Sequence, residues 1–120
     1  MEGLNREFVI YPLSSRMKAL GFDEPCLAWF VSEEHGLEIG VVVKSDLIKE
    51  GILAPTWQSA FRWFREEYRL DSCIRSDYSW NITGGIWSRY DWDSEKYVTY
   101  GEAELACLNR LVEIVESKVE

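Results

Sequence analysis

The stretch from Pro55 to Leu70, PTWQSAFRWFREEYRL, constrains this chain more than any other. Trp57, Ala60, Phe61, Phe64 and Tyr68 recur at helical spacing, so one face of a helix carries four aromatic rings. Pro55 stands where a first turn tolerates proline, and Thr56 can cap free N–H groups. Arg62, Arg65, Glu66 and Arg69 fall mostly on the other side. Such a helix has to be pressed onto a sheet, and the rest of the chain must supply one.

Strands are expected at Cys26–Val31 and Leu37–Val43, joined by Ser32 to Gly36. Directly opposed residues of an antiparallel pair share a face, so loop length fixes the register. A five-residue loop sets Val31 against Leu37, Trp29 against Ile39 and Leu27 against Val41, a large apolar face. The other face then carries Cys26, Ala28, Phe30, Glu38, Gly40 and Val42. A second hairpin is expected from Ile74–Ile82 and Ile86–Trp92. A three-residue loop, Thr83-Gly84-Gly85, pairs Ile82 with Ile86 and Tyr78 with Tyr90. Residues 44–54 read as a connector with a turn of helix near 45–50, and 91–97 as a loop.

Two more helices complete the pattern. One runs from about Leu13 to Leu20, with Ser14 as cap and Gly21 as stop. The last runs from about Gly101 to Lys118 behind a capping box, in which Thr99 caps and Glu102 reaches back. Its stripe is Leu105, Leu108, Leu111, Val112, Val115 and Val119, widened by Ala103, Cys107 and Ile114. The expected fold class is α+β: a four-stranded antiparallel sheet of two hairpins with three helices, ordered α-β-β-α-β-β-α. At 120 residues the whole chain, 1–120, reads as a single domain. The two helix–hairpin stretches hint at an internal repeat.

Composition excludes several functions. The formal net charge is −8, from 21 acidic against 13 basic residues, which repels phosphate backbones and disfavours nucleic acid as a partner. Three cysteines, Cys26, Cys73 and Cys107, stand far apart, and His35 is the only histidine. That is too few ligands for a structural zinc site, and three unpaired thiols suit a reducing cytoplasm. No stretch reads as a signal peptide, and no apolar run nears the roughly 20 residues that span a bilayer. No membrane association and no cofactor are expected.

Three stretches, ALGFDEPCLAWF (19–30), LAPTWQSAFRWFREEYRL (53–70) and YGEAELACLNRLVEIVESK (100–118), resemble small uncharacterised proteins encoded by gut bacteria and their phages. The resemblance spans much of the chain in matching order. It implies an intracellular protein of phage or mobile-element origin, and it implies no activity and no site residue.

The residues themselves offer few candidates for chemistry. A lone histidine between Glu33, Glu34 and Gly36 reads as a solvated turn. In the expected register Asp77 opposes Asp91, an arrangement that needs a cation or an arginine between the carboxylates. Either a metal-dependent enzyme or plain pairing with Arg75 and Arg89 would satisfy it. Gly84-Gly85 is a turn and lacks the pattern of a phosphate loop. The seventeen aromatic residues are the better lead, being more than a core of this size absorbs. Trp63 falls outside the stripe of its helix. Trp87 falls on the non-core face of the sheet with Phe30, Arg75 and Arg89. Trp, Phe and Arg on one face compose a protein–protein contact. The expected function is therefore non-catalytic: binding of a protein partner, or self-association as a homodimer. A small-ligand or nucleotide binder using the same residues is the alternative.

Overall fold

The computed structural model describes residues 6–43, 51–84, 89–93 and 97–118, and for 41–43, 89–93 and 118 it describes the backbone alone. Three helices and six strands lie among the described residues, an α+β fold in the order α-β-β-β-α-β-β-β-α. The chain divides into two compact units, Met1–Ala60 and Phe61–Glu120. Each holds one three-stranded antiparallel sheet where a single four-stranded sheet was expected.

The first unit begins with a segment that runs beside residues 55–57. Phe8 bridges Thr56, the Val9 amide donates to the Pro55 carbonyl at 2.9 Å, and the Trp57 indole donates to the Arg6 carbonyl at 2.9 Å. Helix α1 (Tyr11–Ala19) starts two residues before the expected point, because Pro12 fits its first turn. Ser14 is therefore inside the helix rather than capping it, and its buried hydroxyl donates to the Val9 carbonyl at 3.1 Å. Gly21 ends the helix as expected: at φ 102° it lets the Phe22 amide reach back to Met17.

Strands β1 (Cys26–Phe30) and β2 (Leu37–Val43) pair as Phe30–Leu37, Trp29–Glu38 and Ala28–Ile39, then Cys26–Val43 across an irregularity. The connection is one residue longer than expected, and with period-two side chains that slip exchanges the faces of β1. Strand β3 (Ile52–Leu53), absent from the sequence reading, pairs with the other side of β1. The order is β2-β1-β3, with β1 central. Phe8, Ala28, Phe30 and Ala54 form the core on one face, with Tyr11, Leu37 and Ile52 packed against them. Tyr11 meets Phe30 edge-on, ring centroids 5.3 Å apart. The expected turn of helix at 45–50 lies outside the described residues.

Helix α2 (Trp57–Tyr68) opens on the expected cap, the Ser59 amide donating to the Thr56 hydroxyl at 3.2 Å. The boundary between the units falls inside it. It stops where Arg69 turns left-handed, φ 57°, and β4 (Leu70–Ile74) begins at once. Strands β5 (Trp80–Gly84) and β6 (Arg89–Asp93) follow, in a simple β4-β5-β6 meander. The two sheets thus differ in strand order, and the hint of a repeat does not extend to topology.

What read as one strand over 74–82 is two strands and a turn. The Arg75 amide donates to the Ser79 carbonyl at 2.8 Å, and the Tyr78 amide to the Arg75 carbonyl at 2.9 Å. Tyr78 takes a left-handed φ of 65°. Asp77 Oδ1 accepts from both the amide and the hydroxyl of Ser79. This is the loop class expected at Thr83–Gly85, three residues with the last left-handed, built at Ser76–Tyr78 instead. The next connection, from Gly84 to Arg89, is correspondingly one residue longer than the three expected.

Helix α3 (Tyr100–Lys118) has the expected capping box. Thr99 Oγ1 accepts from the Glu102 amide at 3.1 Å, and the Glu102 carboxylate accepts from the amides of Val98 and Thr99. Replacing Thr99 with alanine should cost about 1 kcal/mol in a thermal melt, the ordinary value of such a cap. Ala103, Cys107, Leu108, Leu111, Val112, Ile114 and Val115 are buried, and the helix packs on β4 and β5. Of the expected stripe, Leu105 stays outside, 39% exposed, and Val119 lies outside the described residues.

Candidate functional site

Two aromatics expected at a surface are core. Trp63 is 7% exposed and meets Phe64 and Tyr68 edge-on at 5.0 and 5.5 Å. The buried strip of α2 is centred on Ala60 and Phe64 and extends to Trp63, so Trp57, Phe61 and Tyr68 become its half-buried margins. Phe30 is 8% exposed, on the covered face of the first sheet. Trp87 lies outside the described residues. Arg75 is exposed at the β4–β5 turn, and Arg89 opens β6 opposite Gly84.

The carboxylate pair is also corrected. Asp91 lies opposite Ile82, while Asp77 sits in the turn holding Ser79, so the two do not oppose each other. Among the described residues, no group of three or more His, Cys, Asp or Glu side chains could hold a metal ion. His35 lies in an exposed loop, its Nε2 3.4 Å from Glu38 Oε1.

The thiols follow burial. Cys26 is pushed up to about 12 by burial, then by the nearby charges of Glu24 and Asp23. Cys107 is pushed up to about 12 by burial as well, against a hydrogen bond with Ser72 that works the other way. Both therefore stay protonated near neutral pH and are poor nucleophiles. Cys73 is exposed. A chromogenic disulfide reagent at pH 8 should titrate one thiol in the folded chain and three after denaturation. Folding also holds protons on Cys26 and Cys107 that the unfolded chain releases above its ordinary thiol value of 9.0. That contribution to stability is complete below pH 9 and is lost as pH rises toward 12, so the melting temperature should fall across that window.

The register of the first sheet exposes apolar side chains that the expected register buries. With Cys26, Ala28 and Phe30 turned inward, the other face of β1 carries Leu27, 49% exposed, and Trp29, half-buried opposite the buried Leu53 of β3; Val31, 51% exposed, follows at its end. Gly40 lies under the Trp29 ring, since a Cβ added there would stand 3.8 Å from Trp29 Cη2. Glu38 faces Trp29 across the ladder, and Glu33 and Glu34 project from the loop after Val31, all three exposed. Apolar side chains around an aromatic, bordered by charge, have the make-up of a contact surface. Leu27, Trp29 and Val31 alternate as well as the true core residues do, so alternation alone does not mark them as exposed. The signal that separates them is the loop, where Gly36 at φ 87° and the Ser32 hydroxyl, accepting from the His35 amide, fix a longer turn.

An open cleft of about 230 Å³ lies on the covered side of this sheet, lined by Phe8, Val9, Ile10, Tyr11, Phe30 and Leu37. It is smaller than the roughly 300–1,000 Å³ usual for sites that enclose an organic ligand. No helix among the described residues is long and apolar enough to cross a membrane. Compared with family models, with curated proteins and with solved structures, the chain has no match.

Proposed function

We propose that this chain is a small intracellular accessory protein that works by binding another protein, through the outer face of its first sheet. The observation that carries the reading is the exposure of Leu27 and Val31 on either side of Trp29. Exposed aliphatic side chains around an aromatic are costly to leave in water and useful in a contact. The resemblance of 19–30, 53–70 and 100–118 to proteins of gut bacteria and their phages supports a phage or mobile-element origin, and the free cysteines suit a reducing compartment.

The test is native mass spectrometry on protein purified gently from cells, beside the double variant Leu27→Ser/Val31→Ser. A retained protein mass that disappears in the variant, while the thermal melt barely moves, is the expected result. A complex that survives the double substitution places the contact elsewhere and ends this reading. A second reading is capture of a small apolar molecule, of which the open cleft at Tyr11 and Phe30 would hold only a part. A monomer carrying a few hundred daltons of added mass, unchanged by the double variant, would select it.

A further inference from the structure

Charge around the outer face of the first sheet narrows the partner. From residue 23 to residue 43 the chain holds Asp23, Glu24, Glu33, Glu34 and Glu38, one histidine, and no lysine or arginine. The histidine is paired with Glu38. Glu38 faces Trp29 across the strand pair, and Glu33 and Glu34 stand two and three residues beyond Val31 in the exposed loop, so three exposed carboxylates accompany the apolar residues. His35 stands beside Glu38, and no lysine or arginine of this stretch is present to pair with Glu33 or Glu34.

We propose that this face takes a basic amphipathic segment of a partner protein, apolar side chains seated on Leu27, Trp29 and Val31 and lysine or arginine set against Glu33, Glu34 and Glu38. The proposal rests on the interface reading above and adds the chemistry of the occupant. A second copy fits poorly, because a face-to-face pair brings the same carboxylates together and sets a net charge of −8 against −8. Anionic membranes and nucleic acids are repelled by the same charges. A basic protein segment gains from them twice, in a faster encounter and in pairing at the rim, while the apolar centre supplies the hold.

The experiment titrates the full chain, 15N-labelled, with two synthetic amphipathic helical peptides. One has leucines at i, i+3, i+4 and i+7 and lysines elsewhere; its twin has glutamates for the lysines. Amide shifts concentrated in 27–31 and 33–40 with the lysine peptide alone are the expected result. The affinity should fall on the order of tenfold between 50 and 300 mM salt, as screened ion pairs do. Leu27→Ser/Val31→Ser and, separately, Glu33→Gln/Glu34→Gln/Glu38→Gln should each weaken binding about tenfold, since apolar and charged parts both contribute. Shifts elsewhere, or binding indifferent to the serine pair, would mean bare attraction to an acidic protein and would overturn the proposal. Equal binding of both peptides to this face, or indifference to the glutamine triple, removes the charge argument and leaves the interface reading standing. Concentration-dependent dimerisation that buries 27–40 replaces the partner by a second copy. If neither peptide touches this face and no retained protein mass depends on Leu27 and Val31, both readings fall.

Discussion

Replacing Phe30 with alanine should destabilise the chain by about 3–5 kcal/mol, while Val31→Ser, one residue further on, should cost less than about 1 kcal/mol. Phe30 is nearly enclosed: Phe8, Ala28 and Ala54 surround it, and the edge of Tyr11 meets its ring. Truncation removes a large apolar area and leaves a hole that these neighbours, fixed on three different segments, cannot close. Val31 has half its surface in water, so a polar replacement gives up little. Denaturant midpoints for the two variants decide the matter, read at unchanged slope so that the difference reports stability. The opposite ranking, with Val31→Ser the costly change, would restore the register in which Leu27, Trp29 and Val31 are core. It would also remove the surface on which the functional reading depends.

That pair of residues also marks where the sequence stops being informative. Cap chemistry is local, and the chain states it openly: Thr56 with Ser59, Thr99 with Glu102 and Gly21 after α1 all behave as their positions suggest. The α+β class and the three helices follow from the same local signals. Register is different. Over 26–31 both parities of β1 are apolar, Cys26, Ala28 and Phe30 on one side and Leu27, Trp29 and Val31 on the other. Alternation then cannot choose, and one loop residue decides which set is buried. The same ambiguity hid β3, whose two residues read as a lead into α2 until β1 pairs with them. It also misplaced Trp63, because a helix with aromatic residues spread over nearly half its circumference does not declare its centre. Of the residues singled out for a contact, Trp63 and Phe30 are buried, Arg75 is exposed, and Trp87 lies outside the described residues.

Gly84→Ala should cost about 2–4 kcal/mol, the largest effect expected from a single methyl group in this chain. Gly84 ends β5 at φ 85°, where any side chain is strained. It also lies opposite Leu70, and an added Cβ would stand 2.9 Å from the Arg69 carbonyl oxygen. That oxygen belongs to the backbone at the α2–β4 junction and has no rotamer by which to yield. Arg69 has the converse defect, a side chain at φ 57° where glycine is at ease. Arg69→Gly should therefore leave stability unchanged or raise it by up to about 1 kcal/mol, relief of the left-handed strain offsetting the greater entropy of the unfolded glycine. The double variant is the sharper measurement. Arg69→Gly keeps the carbonyl that the alanine meets, so it should not rescue Gly84→Ala beyond its own small gain. A double variant as stable as the parent would show that the obstacle is the arginine side chain, and the close approach of the two backbones at this corner would have to be abandoned.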